Sequence, residues 1–147
     1  MPLAITAVTG DPTLTFAATD ASGDALVAQI FAGVCVVARV RSEETLLQRL
    51  GGGGPGSTVS FGFYVPGAGP LRPSHRLEAW AEVSLGTVQV VGGQHAGSGP
   101  YGVDRPTVEL VDDGRGSGSQ WPYLRFTAHG GRAMTVRYRL TVTSPAE

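Results

Sequence analysis

The sequence predicts a single all-β domain over residues 1–147, a sandwich or barrel of about eight antiparallel strands. Three observations lead there. Its 147 residues include 22 glycines and 10 prolines while only 16% are charged, which suits short strands joined by many turns. Near the end of the chain Val136, Tyr138, Leu140 and Val142 alternate with Thr135, Arg137, Arg139 and Thr141, the period of a strand with one buried face. Finally, β-branched and aromatic runs recur along the chain, each closed by a Gly, Pro, Asp or Ser cluster.

Taken in order, Leu14 and Phe16 alternate with Thr13 and Thr15 to give a first strand, closed by the turn-forming run Asp20 to Asp24. Leu26 to Arg41 is nearly continuous and apolar, so at least its second half reads as a strand buried on both faces. Val34, Val36, Ala38 and Val40 share one face there, and Cys35, Val37, Arg39 and Arg41 the other. Ser42 as a cap, Glu43 and Glu44 in the first turn and four glycines after Leu50 predict one short helix over Glu43–Leu50. Val59, Phe61, Phe63 and Val65 form one face of the next strand, which Pro66 ends. Shorter strands follow at His75–Val83, Gly86–Gly93, Pro106–Asp113 and Pro122–Gly130, separated by Gly/Ser-rich surface loops. Pro145, which has no N–H to donate, stops the final strand. Val59, Phe61, Phe63, Leu124, Phe126, Val136, Tyr138 and Leu140 are expected in one core.

Chemistry is sparse. A net charge of −1 gives no global pull toward nucleic acid or an acidic membrane, and all 11 basic residues are arginine. GC-rich coding explains that bias, and so does a preference for arginine at interfaces. Cys35 is the sole cysteine, so neither a disulfide within the chain nor a cysteine metal site is expected. The most apolar stretch, Ala25–Ala38, contains Gln29 and Gly33 and falls short of the roughly 18–20 apolar residues a membrane span requires. The opening residues lack the basic and apolar regions of a secretory leader, so cytosolic synthesis is expected.

His75, His95 and His129 read as surface-loop histidines outside any metal-binding spacing. No GxSxG marks a nucleophile elbow, and the glycine-rich loops do not open helices as phosphate-binding loops do. Glu78 and Glu82 straddle Trp80 on one strand face, an arrangement open to glycoside chemistry or, equally, to a subunit contact. For a sugar-binding surface, Trp80, Trp121 and Tyr123 are the aromatic candidates. The expectation is a protein that is not an enzyme and uses no metal or cofactor.

The segment Ser57–His75, an aromatic-rich strand running through Val65 and Pro66 into a short small-residue loop, is similar to a segment of icosahedral plant virus coat proteins. The end of the chain resembles the closing strands of the same coats: Pro122 precedes Leu124 and Phe126, Gly130 and Gly131 turn the chain, and Val136, Tyr138 and Leu140 lead to Pro145. Tymovirus and marafivirus coats look closest, and the resemblance covers residues 58–145. This chain is shorter than those coats, with little room for an arm before Leu14.

The resemblance implies an eight-stranded antiparallel jelly-roll sandwich with at most one short helix, whose last strand is central in its sheet. The Gly130–Gly131 turn must then be a corner between sheets, although a two-residue hairpin turn fits the same residues. The implied function is a structural capsid subunit that self-assembles into an icosahedral shell around RNA, in a virion made in host cytoplasm. Arg39, Arg41, Arg125, Arg137 and Arg139 are the candidate RNA or subunit contacts. The partners are many copies of the chain itself and weakly contacted single-stranded RNA, with no membrane. Alternatives are a phage capsid-decoration or minor tail protein, or a carbohydrate-binding β-sandwich. Part of the Leu26–Val40 stretch, Val37 included, is expected between subunits.

Overall fold

The computed structural model describes residues 3–39, 58–71, 78–88, 102–112, 119–130 and 132–145. They form eight strands: β1 (Leu3–Gly10), β2 (Leu14–Thr19), β3 (Ala25–Arg39), β4 (Thr58–Tyr64), β5 (Glu78–Val88), β6 (Gly102–Asp112), β7 (Gln120–His129) and β8 (Met134–Pro145). All ladders are antiparallel. They make two sheets, β1–β3–β8–β5 with β2 also on β3, and β4–β7–β6. The predicted helix over Glu43–Leu50 lies outside the described residues.

The strand order is that of a wound ribbon. β3 pairs with β8, β4 pairs with β7, and β5 lies beside β6 where the sheets meet. These six strands nest in a jelly-roll-like winding that alternates between the sheets, with β1 and β2 added along the outer edge of β3. β8 is central, flanked by β3 and β5. β7 belongs to the three-stranded sheet and β8 to the five-stranded one, so the turn between them is a corner, with Gly130 at a φ of 109° that its missing Cβ permits.

One core joins the sheets. It holds Val59, Phe61 and Phe63 of β4, Leu124 and Phe126 of β7, and Val136, Tyr138 and Leu140 of β8. Phe63 meets Tyr138 edge-on at 5.0 Å and Phe126 at 6.4 Å, the aromatic geometry that quadrupoles favour. Tyr138 lies opposite Gly33 of β3, and its hydroxyl donates to the Thr9 carbonyl of β1 at 3.0 Å. A Cβ on Gly33 would collide with that same carbonyl, so β1 and Tyr138 together demand glycine here.

Several elements differ from the sequence reading. β1 was not expected, and a bulge between Ile5 and Ala7 explains why, since it interrupts the alternation. β5 is one strand where two were expected; Gly86 sits in a bulge, not a turn. β6 begins at Gly102, before Pro106, because a bulge at Arg105 and Pro106 keeps the ladder going on an edge that tolerates proline.

Only one face of the second half of β3 is deeply buried. Cys35 and Val37 point into the core, while Val34, Val36 and Ala38 are half-buried on the outer face. Val37 is 1% exposed, so it belongs to this chain's core and not to a subunit contact. His129 lies in β7, not in a loop.

Candidate functional site

The outer face of the five-stranded sheet is the most distinctive surface among the described residues. Register sets its rows. Leu14, Ile30, Thr141 and Trp80 lie side by side across β2, β3, β8 and β5. The adjoining row is Phe16, Ala28, Thr143 and Glu78, and on the other side come Ala32, Arg139 and Glu82, then Thr9, Val34, Arg137 and Ser84. Leu14 is 60% exposed, Phe16 47% and Trp80 45%. The β2–β3 side of this face is therefore apolar and open, and the β8–β5 side is polar apart from Trp80.

Across the polar side, Arg139 Nη2 donates to Glu82 Oε2 at 2.5 Å. Both side chains are about half exposed, so the pair adds little stability and instead fixes two charges in place. Arg137 stands one row away opposite Ser84, with no acidic group within ion-pair distance among the described residues. Small side chains on β3 leave a depression of about 600 Å³ over Ala32, Gly33 and Val34, walled by Arg137, Arg139 and Glu82, with Asp11 at the rim.

The outer face of the three-stranded sheet is different. Tyr64 and Tyr123 meet edge-on at 4.9 Å, Arg125 lies over the Tyr123 ring at 5.3 Å, and Glu109 approaches Arg125 at 3.7 Å. Gly62 makes room for the Tyr123 ring and Gly69 for Trp121. At the far end of this face, Thr58 Oγ1 lies 3.1 Å from His129 Nδ1, and His129 Nε2 lies 3.1 Å from Asp104 Oδ1. If Asp104 accepts from Nε2–H, then Nδ1 is the acceptor for the Thr58 hydroxyl. Thr58 and Asp104 are exposed on this strand surface, and His129 is partly buried.

The arginines singled out from the sequence do not converge. Arg137 and Arg139 share the outer face of the five-stranded sheet, whereas Arg125 is on the opposite side of the sandwich. Arg39 is exposed at the end of β3, and Arg41 lies outside the described residues. The aromatic set is split the same way, with Trp80 on one side and Trp121 and Tyr123 on the other.

Glu78, Trp80 and Glu82 do share a face. Four strand residues span about 13 Å, however, and glycosidase carboxylates lie roughly 5–9.5 Å apart. Glu82 is in addition held by Arg139. Cys35 is fully buried, and burial pushes its thiol up to about 12, which keeps it protonated and unreactive at neutral pH.

Two features were missed from the sequence. Leu14 and Phe16 alternate as a buried face does, yet they point outward; only the pairing of β2 with β3 reveals this. The Thr58–His129–Asp104 line joins three strands far apart in sequence, and no local motif announces it. Comparison with protein-family models, with curated proteins and with solved structures finds no match.

Proposed function

We propose that this chain is a structural module whose work is association through its surfaces. In particular, we read it as a self-assembling coat subunit of a small icosahedral RNA virus, made in host cytoplasm and ending in the virion. One observation carries the association reading: a solvent-facing sheet displays Leu14, Phe16 and Trp80 around the half-buried Ile30. Apolar side chains gathered like this on a β-sheet gain free energy when another protein covers them. The narrower reading rests on the resemblance of residues 58–145 to tymovirus-like coats, with which a jelly-roll winding and a central last strand agree.

Arg137 and Arg139 beside Glu82 then serve the same face, adding charged groups that fix orientation more than affinity. Arg125, held by Tyr123 and Glu109 on the other side, contacts a different neighbour or RNA.

Size-exclusion chromatography with negative-stain microscopy tests the proposal. Shells are the expected result. A monomer or trimer at high concentration would remove the coat reading and leave the decoration-protein alternative. A monomer that binds on a glycan array would favour a lectin using Trp121, Tyr123 and Tyr64, which line one face.

A further inference from the structure

We infer that the edge of β2 left unpaired among the described residues is the seam at which two copies of this chain join, by two-fold antiparallel pairing centred on Ala17. This rests on the self-association reading and specifies where it happens.

The first ground is how the chain treats its sheet edges. An unpaired edge strand is a template for another chain, and proteins guard such edges with charge, proline or bulges. β6, an edge of the three-stranded sheet, has all three: a bulge at Arg105 and Pro106, and Asp104, Glu109 and Asp112 along its length. β5, the far edge of the larger sheet, carries Glu78, Glu82 and a bulge at Gly86. β1 is interrupted by its own bulge. β4, the other edge of the smaller sheet, is as plain as β2 in charge, proline and bulge, but it comes up against β1 where the sheets meet. β2, with the sequence LTFAAT, has no charge, no proline and no bulge, and among the described residues it pairs only with β3.

The second ground is hydrogen-bond phase. The β2–β3 hairpin closes with the Asp20 N–H donating to the Asp24 carbonyl at 3.0 Å. Backbone groups alternate in direction along an antiparallel strand, so Thr19, Ala17 and Thr15 turn their N–H and C=O groups away from β3. A two-fold axis at Ala17 sets Ala17 opposite Ala17 of the second copy and Thr15 opposite Thr19 of the second copy. Every outward donor then meets an outward acceptor. An axis at Phe16 or Ala18 keeps the phase but leaves Thr19 or Thr15 without a β2 partner. An axis at Thr15 sets Thr19 opposite Asp11, whose N–H already donates to the Ala32 carbonyl, and one at Thr19 runs into the turn around Gly23.

The third ground is side-chain complementarity. In this register Phe16 stands beside Ala18 of the second copy, a small neighbour that leaves the ring room. Phe16 of the two copies lie on a diagonal, roughly 7–8 Å apart and within aromatic reach. The apolar outer faces, with Leu14 and Ile30, become continuous across the seam. A six-residue edge spans only about 20 Å, so the seam buries well under the roughly 1,000 Å² of a stable free-standing interface. It is therefore a weak pair alone, and is reinforced when other contacts of an assembly are made.

Weak pairing calls for trapping. In the proposed register the Cα atoms at position 17 are about 5.5 Å apart, within disulfide reach, whereas those at position 19 are about 14 Å apart. Full-length Ala17→Cys and Thr19→Cys variants are oxidised at matched concentration and resolved on a non-reducing gel. The native Cys35 is buried and does not compete. Ala17→Cys should become mostly dimer, at least ten times faster than Thr19→Cys. Equal rates, or faster linkage by Thr19→Cys or Thr15→Cys, overturn the pairing.

Ala17→Pro removes an outward donor that β3 does not use, so circular dichroism should stay native while association weakens at least tenfold in sedimentation. Unchanged association would overturn the inference. If the wild type forms particles but position 17 does not link, the seam is wrong and the assembly reading stands. If position 17 links but no particles form, the seam stands and the shell reading falls.

Discussion

Gly33→Ala tests the tightest point of the fold. A Cβ at residue 33 collides with the Thr9 carbonyl oxygen and comes within 2.7 Å of the Tyr138 hydroxyl. Both partners belong to one contact, the hydrogen bond from Tyr138 to Thr9 that ties β8 over β3 to β1. Relief requires β1 to move away from β3, since Tyr138 is 3% exposed and held by Phe63. Overpacking of this kind costs about 1–3 kcal/mol, and the lost hydrogen bond about 0.5–1.5 more. The total is about 2–4 kcal/mol, a fall in Tm of roughly 5–15 °C at this chain length. Urea unfolding followed by circular dichroism at pH 7 gives the number. Tyr138→Phe alone should cost only the hydrogen bond, and the double variant should cost less than the sum of the two, because the residues share a partner. A Gly33→Ala protein within 0.5 kcal/mol of wild type, a bound of about the size of surface substitutions, would refute the close approach of β1 to β3.

Three further outcomes follow from the same structure. Phe61→Ala and Leu140→Ala, at 2% and 0% exposure, should each cost about 2–5 kcal/mol in the same assay, and neutrality of both would contradict the single core. Burial lifts the Cys35 thiol from 9.0 to about 12, and burial, with Asp11 and Cys35 adding, lifts the Tyr138 hydroxyl from 10.0 to about 12. Both pKa values are raised on folding, so their contribution is intact below pH 9 and is lost as pH climbs toward 12. The slope reaches about 1.4 kcal/mol per pH unit for each group, and Cys35→Ala should flatten the decline that begins near pH 9; an unaltered decline would refute it. On the proposed coat reading, with a net charge of −1 and arginines split between two faces, shells should assemble after nuclease treatment with a protein-only absorbance ratio. Strict dependence on added RNA, with steep loss on raising salt, would show that phosphate contacts supply the binding energy.

The sequence announced those strands whose alternation is uninterrupted and whose one face meets the core. β4, β7 and β8 satisfy both conditions, and the eight residues expected from them in one core are all there. Where a bulge shifts the phase, the pattern breaks. In β1, Leu3 and Ile5 point inward and then Val8 does, an odd step that hides the strand. Gly86 imitates a turn in β5 for a related reason, because a bulge glycine and a turn glycine look alike in one dimension.

The candidate site was less legible because alternation states that two faces differ without stating what covers either one. In β8 the inward set meets β4 and β7, and the outward arginines follow correctly. In β2 the same pattern misleads: Leu14 and Phe16 face out, and Thr15 and Thr19 on the other side are exposed as well. A strand this exposed on both faces while keeping an apolar stripe is unfavourable in isolation, since that stripe orders water and gains nothing. The same argument makes Arg125 and Arg139 poor partners despite their shared strand periodicity. Adjacent strands of the closing pair enter opposite sheets through the Gly130 corner, and side chains pointing outward from each then face away from one another. Which residues act together is thus decided by the corner and the register, two features to which the sequence devotes a few glycines and no distinctive side chain.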